Sequence, residues 1–143
     1  MRIGTGYDSH RFQDGRQLML GGVHIPDHAG LSGPSDGDAV AHAIIDAVLG
    51  AAAAGNVGSH FPPDDDEWKD AESMDLLDRA TRIVLARDYQ VVNVDVTVIC
   101  ESPKIAPHVE AMRSRLAEAM RISSASISIK GKSNEGMGWI GAG

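Results

Sequence analysis

The sequence predicts an α+β fold, a two-layer sandwich in which a mixed β-sheet is covered on one face by about three helices. Three patterns carry this expectation. Alternating β-branched residues over 91–99 (VVNVDVTVI) mark a strand, apolar i, i+4 stripes mark helices, and short Gly-interrupted runs near the start mark a hairpin. The length agrees, because 143 residues suit one domain and no linker, repeat or composition break divides residues 1–143.

Each element has its own local reason. Residues 2–7 and 18–25 (LMLGGVHI) are bounded by turn signals at Asp14-Gly15 and Pro26, which predicts a strand pair. A helix is expected from Ser35, whose hydroxyl can cap free amides, with Asp36 and Asp38 complementing the positive end of the dipole. It should run to about Ala54 and stop at Gly55, with Val40, Ile44, Val48 and Ala41, Ile45, Leu49 forming one apolar stripe. A second helix over 72–88 turns Leu76, Leu77, Ala80, Ile83 and Val84 inward. The 91–99 strand places Val92, Val94, Val96 and Val98 on one face and Asn93, Asp95 and Thr97 on the other. A third helix over 106–120 follows Pro103, residues 127–130 (ISIK) form a further strand, and residues 136–143 make a Gly-rich end. The semi-polar strand face must meet water or another subunit, and an interface around a symmetry axis is the expectation.

Charge narrows the function. Thirteen Lys and Arg against twenty Asp and Glu leave a formal charge of −7, which argues against a nucleic-acid partner or docking on an anionic membrane. It permits a phosphorylated substrate whose charge is neutralised locally by cations. Hydrophobic residues at 43% with aromatics at 4% predict an aliphatic core. The single cysteine, Cys100, excludes an intrachain disulfide and fits a reducing compartment. No apolar run reaches membrane-spanning length and the start, MRIGTGYDSH, lacks a signal-peptide core, so a cytoplasmic protein is expected.

Asp8 and His10 are two residues apart, and period-two geometry points both side chains to one side. His42 lies on the first helix between Asp38 and Asp46, each four residues away. One carboxylate and two imidazoles compose a zinc site with an open position, and Asp46 is placed to receive the second ring N–H of His42. A surface hydrogen-bonded pair is the alternative for Asp8 and His10. Lys104 in SPKIAP can reach a phosphate or simply be solvated. KGKSNEGMGWIGAG brings Ser133 and Glu135 close together among backbone amides, which suits an anion with a divalent cation and equally suits an ordinary loop. No GxxxxGK[ST], GxSxG or HExxH is present, so nucleotide hydrolases, serine hydrolases and zinc proteases lose their usual support. Cys100 ends an apolar strand, where a buried thiol is commoner than a nucleophile.

In order, GTGYDSHRF, SDGDAVAHAIIDAVLGAAAAGNVGSHFP, NVDVTVI with SPKIAPH, and IKGKSNEGMG resemble the 2-C-methyl-D-erythritol 2,4-cyclodiphosphate synthase family of the non-mevalonate isoprenoid pathway, over essentially the whole chain. The resemblance implies that 4-diphosphocytidyl-2-C-methyl-D-erythritol 2-phosphate is closed on itself with loss of CMP. It implies zinc on Asp8, His10 and His42, and a second divalent ion, Mg or Mn, held with the help of Glu135. Ser133 stands where a Thr hydroxyl meets phosphate. Cys100, Lys104, Ile105 and Ala106, with Gly131 and Lys132, match a pocket for the cytidine end, supplied by the neighbouring subunit of a homotrimer. Ser35 and Gly58 match residues near the phosphate and the methylerythritol.

The chain departs from the family pattern at several positions. Pro34 replaces a His before Ser-Asp-Gly-Asp, and Asn56 replaces an Asp that meets the substrate hydroxyls. Pro62, Pro63, Asp64 and Asp65 alter the loop after Phe61, and Ala142 replaces an Arg between two glycines. The family pattern continues into one further strand beyond Gly143. The metal side matches while the substrate side is altered, so weakened turnover is expected. The alternatives are a non-catalytic trimeric zinc protein that binds a cytidine nucleotide or an isoprenoid diphosphate, and a zinc phosphohydrolase.

Overall fold

A computed structural model describes residues 1–142, and Gly143 lies outside them. In chain order the elements are β1 (Phe12–Gln13), β2 (Leu18–Leu20), β3 (Val23–Ile25), β4 (Gly30–Leu31), α1 (Ala39–Ala51), α2 (Val57–His60), α3 (Ser73–Leu85), β5 (Val94–Ile99), α4 (Val109–Met120), β6 (Ile127–Lys132) and α5 (Gly138–Gly141). This is a small mixed α/β structure.

The early hairpin forms within the predicted 18–25 run rather than between 2–7 and 18–25. β2 pairs antiparallel with β3 through Gly21 and Gly22, whose φ values of 57° and 75° are what a two-residue hairpin turn requires. Residues 2–7 form no ladder. Instead Gly4 and Gly6 press against α1, where an added Cβ would sit 1.8 Å from the carbonyl oxygens of Ala47 and Ala43. Only glycine permits that approach.

The predicted helix start at Ser35 moves to Ala39. Gly37 adopts φ 76° and makes the segment 35–38 a turn, so Asp38 becomes the cap, its Oδ1 accepting from the Ala41 amide at 3.0 Å. Asp38 is fully buried and also accepts from the Gly21 and Gly22 amides at 2.9 and 2.7 Å, which ties the hairpin turn to the head of α1. Burial pushes its carboxyl above the ordinary range, against the pull of those three amides. Asp36, from the same turn, accepts from the Ser73 amide at 2.9 Å and so serves the head of α3. One turn therefore organises two helix starts.

The apolar stripe on α1 buries Val40, Ala41, Ile44, Ile45, Val48 and Leu49 as expected, and on α3 it buries Leu76, Leu77, Ala80 and Val84. α1 packs on α3, α3 packs on α4, and α4 packs on β6. Truncating a fully buried Leu such as Leu77 or Leu116 to Ala would cost about 2–5 kcal/mol. β5 and β6 pair in parallel from Val94 opposite Ile127 to Ile99 opposite Lys132. Their inward residues Val94, Val96, Val98, Ile127 and Ile129 pack on the helical core, while Asp95, Thr97, Ile99, Ser128 and Lys130 face out. Val92 precedes the strand and is 70% exposed, so it does not share the inward row.

The strands form three two-stranded ladders among the described residues, where one mixed sheet was expected. The 2–7 segment that would have extended a sheet instead spends its contacts on α1. None of the described helices is long and apolar enough to cross a membrane.

Candidate metal and substrate site

Two groups of residues are assembled. The first lies where the 8–10 segment passes the first turns of α1. Asp8 Oδ2, His10 Nε2 and His42 Nδ1 face one another, with His10 at 2.7 Å and His42 at 3.1 Å from the carboxylate. These three candidate ligand atoms lie within 4.8 Å of one another. The side chains are only 25%, 14% and 12% exposed for Asp8, His10 and His42. Half-burial alone would raise the Asp8 carboxyl, but hydrogen bonds from His10 and His42 outweigh it and hold the group well below the usual carboxylate range. His10 is correspondingly raised, chiefly by its bond to Asp8 and against the effect of burial.

The donor set fits a divalent transition metal: one carboxylate oxygen and two imidazole nitrogens converge, three protein ligands where a tetrahedral ion takes four. His10 is oriented for this. Its Nδ1 donates to the Ser32 carbonyl at 2.5 Å, so the lone pair of the neutral ring lies on Nε2, on the side of the cluster. Arg16 steadies the adjacent turn by donating to the carbonyls of Gly33, at 2.6 Å, and Ser35.

Asp46 does not receive the second N–H of His42. Helical side chains lean toward the N-terminus of their helix, so His42 tilts away from Asp46 and toward the 35–38 turn. Asp46 Oδ1 instead accepts from the Val57 amide at 2.7 Å and steadies the start of α2. His42 Nε2 meets Ser35 Oγ at 3.1 Å and Ser73 Oγ at 3.0 Å. Ser35 is buried here rather than free to cap α1.

The second group surrounds a cavity of about 300 Å³ lined by Cys100, Glu101, Pro103, Lys104, Ile105, Ala106, Gly131, Lys132 and Ser133. All six residues expected around a cytidine end are among them. Gly131 is required by the packing, since a Cβ there would lie 2.8 Å from Ile105 Cβ. Burial, followed by the nearby Glu101 charge, pushes the Cys100 thiol up, which makes it a wall of the cavity rather than a nucleophile.

Ser133 and Glu135 follow β6 on an exposed turn. Ser133 Oγ donates to Glu135 Oε1 at 3.2 Å, and Glu135 adopts φ 52°, an uncommon backbone for a non-glycine residue. The turn is latched by Glu101, whose Oε1 accepts from the Asn134 and Gly136 amides at 2.8 and 3.3 Å. Glu101 carries no spacing signal that links it to residue 135. Asn56 and Gly58 lie elsewhere, exposed on α2, where Asn56 caps the helix reciprocally with Ser59. Pro34 is exposed just before the 35–38 segment, and Ala142 follows α5.

The model of the YgbB family matches residues 1–143. The chain belongs to the YgbB family. Its relatives include the 2-C-methyl-D-erythritol 2,4-cyclodiphosphate synthase of Neisseria gonorrhoeae, 52% identical over 141 residues, which span 99% of this chain and 88% of the relative. Among solved structures, a CDP-bound 2C-methyl-D-erythritol-2,4-cyclodiphosphate synthase aligns with TM-score 0.89 at 38% identity, covering 95% of this chain and 91% of that one. The bifunctional IspDF of Campylobacter jejuni aligns with TM-score 0.94 at 38% identity, covering 99% of this chain but only 38% of that longer protein. The Asp8, His10 and His42 corner and the Lys104 to Ser133 cavity are thus features of a YgbB-family chain aligned over nearly its full length.

Proposed function

We propose that this YgbB-family chain is a metal-dependent cyclodiphosphate synthase that converts 4-diphosphocytidyl-2-C-methyl-D-erythritol 2-phosphate into 2-C-methyl-D-erythritol 2,4-cyclodiphosphate and CMP. The observation that carries this reading is the convergence of Asp8 Oδ2, His10 Nε2 and His42 Nδ1 within 4.8 Å in a chain whose relatives bear that activity's name. Asp8, His10 and His42 would hold zinc, and Glu135 would help hold a second divalent ion, Mg or Mn. Bound there, the cations supply the positive charge that a transferring phosphoryl group needs.

The chain's own residues then have to bind and align. The nucleophile is the substrate's own 2-phosphate oxygen, which is already anionic, so no protein base has to create it. It forms a bond to the β-phosphorus as the bond to CMP breaks, and holding both tethered phosphates in line removes much of the entropic barrier. The cavity walls Cys100, Ile105, Ala106 and Gly131, with Lys104 and Lys132 at its polar side, suit the cytidine end, and the CDP bound by the aligned synthase agrees with that chemistry. Ser133 Oγ would donate to a phosphate oxygen, and Ser35, Asn56 and Gly58 would line the sugar-alcohol side. Pro34, Asn56 and Ala142 remove an imidazole, a carboxylate and a guanidinium from that side, which weakens substrate binding while leaving the metal corner whole.

The finer architecture belongs to the same proposal: a two-layer domain that works as a homotrimer, with the cytidine pocket of one subunit facing the metal corner of the next. Its support is the exposure of large apolar side chains, Ile3, Tyr7, Val92 and Ile99 at 82%, 71%, 70% and 47%, with Ile99 on the same outward row of β5 as Asp95, which pairs with Lys130. The test is phosphorus NMR of the reaction with zinc and magnesium or manganese. The cyclic diphosphate with CMP is expected, and the linear hydrolysis product, or CDP binding without any CMP release, would overturn the reading. His42→Ala should lower turnover by on the order of 10²–10³, the usual loss when one electrostatic element of a reaction centre is removed.

A further inference from the structure

His42 supplies the helical ligand of the cluster, and its ring is gripped on the far side by a residue from a different helix. Nδ1 faces Asp8 Oδ2 at 3.1 Å and His10 Nε2 at 3.4 Å, while Nε2 faces Ser73 Oγ at 3.0 Å and Ser35 Oγ at 3.1 Å. Ser73 is the first residue of α3 and has no exposed surface. Its hydroxyl donates to Asp36 Oδ1, and Asp36 Oδ2 accepts from the Ser73 amide at 2.9 Å. An ionised carboxylate has no hydrogen to offer, so the Ser73 hydrogen is committed to Asp36 and the Ser73 oxygen is left to accept. The hydrogen between Ser73 and His42 therefore belongs to Nε2. In the neutral ring that ligates a metal, this leaves the Nδ1 lone pair directed at the place between Asp8 and His10.

We propose that Ser73, locked by Asp36, is the positioning residue that sets the His42 tautomer for metal ligation. The inference rests on the zinc reading of the Asp8, His10 and His42 corner. Ser73 does not reach the cluster itself; it acts through the ring. Without its oxygen the other tautomer becomes accessible, and that tautomer presents an N–H where a lone pair is needed. The ring is also freer to rotate about χ2, since only Ser35 still contacts Nε2. Because His42 is carried by α1 and Ser73 by α3, the packing of those two helices against each other is what keeps the ligand aimed.

The test measures zinc affinity directly, by competition with a chromophoric chelator, on the wild-type chain, Ser73→Ala and Ser73→Thr. Removing an oxygen that orients a ligating histidine typically weakens metal binding about 10–100-fold, so Ser73→Ala should show a loss of that size and Ser73→Thr, which keeps the hydroxyl, should stay near wild type. Cobalt-substituted Ser73→Ala should show altered visible ligand-field bands. Equal zinc affinity in wild type and Ser73→Ala overturns the inference while leaving the metal reading intact, whereas a wild-type chain that binds no zinc defeats both. Should Ser73→Ala fail to fold, long-range proton–nitrogen NMR of the zinc-loaded wild type decides the matter. A proton on His42 Nε2 supports the inference, and one on Nδ1 overturns it.

Discussion

At the Asp8, His10 and His42 corner every candidate ligand is no more than 25% exposed, and both histidines are held from behind, His10 by the Ser32 carbonyl and His42 by Ser35 and Ser73. On the other side, Lys104, Lys132, Ser133 and Glu135 are exposed, and Ser133 and Glu135 bond to each other. The first region is preorganised within one chain, so its geometry is available before a cation or substrate arrives. The second is a surface whose side chains are free to adapt. A site built this way fixes cation placement by the fold and leaves the polyanion's grip to groups that order on binding.

The largest expected effect breaks the rigid half. Asp38→Ala would leave the Gly21, Gly22 and Ala41 amides without their acceptor in a buried place, at a cost of about 3–5 kcal/mol in denaturant unfolding. Zinc affinity should fall with it, since the head of α1 carries His42. A loss under about 1 kcal/mol would show that water replaces the carboxylate and that the corner does not depend on it.

The electrostatics of the metal-free corner give a second test with a definite sign. The depressed Asp8 carboxyl contributes stability above the ordinary carboxylate value of about 4 and loses it as pH falls through its own lower value. The raised His10 imidazole contributes fully below about pH 6.5 and loses it as pH rises through its own higher value. Metal-free His10→Asn should therefore be more destabilising at about pH 5.5 than at about pH 9. Zinc affinity runs the opposite way, strengthening as pH rises, because the proton shared by Asp8 and His10 occupies the cation's place. Equal destabilisation at both pH values would contradict the pairing.

Smaller effects belong to the adaptable half. Glu101→Ala removes two exposed hydrogen bonds from the 133–136 turn, worth at most about 0.5–1.5 kcal/mol each, and should raise KM and lower the melting temperature by a few degrees while leaving zinc affinity near wild type. Unchanged KM would mean that the turn needs no latch. Asn56→Asp keeps the α2 cap, since both residues cap well, and on the proposed function would offer a carboxylate to the substrate hydroxyls. Charge-assisted bonds are about twice as strong as neutral ones, so KM should fall by a few-fold, and no change would mean that residue 56 does not meet the substrate.

The same contrast separates what the sequence made legible from what it did not. Asp8 and His10 share a side because they are two residues apart, and the α1 stripe from Val40 to Leu49 follows helical periodicity, so both could be read directly. Partners that meet across the fold could not. Spacing offers Asp46 to His42 because both are helical, but the lean of the side chain and the arrival of α3 give the place to Ser73, whose separation of 31 residues leaves no local trace. The start of α1 was misplaced because Ser35, Asp36 and Asp38 are all good capping residues, and only the positive φ of Gly37 decides among them. The 2–7 strand fails for a tertiary reason, the seating of Gly4 and Gly6 on α1. The cavity walls carry no periodic signal, and their resemblance to a known family pattern was what made them visible.

The central proposal is that one chain completes the cation corner and that a homotrimer is needed to complete the nucleotide grip. Placing charges at the exposed apolar positions with the double variant Ile3→Asp, Val92→Asp, and titrating zinc and CDP into it by calorimetry after sedimentation has established its size, tests this most directly. The account predicts a monomer that binds zinc with wild-type affinity and no longer binds CDP. A monomer that still binds CDP as the wild type does, or one that loses zinc together with CDP, would contradict it.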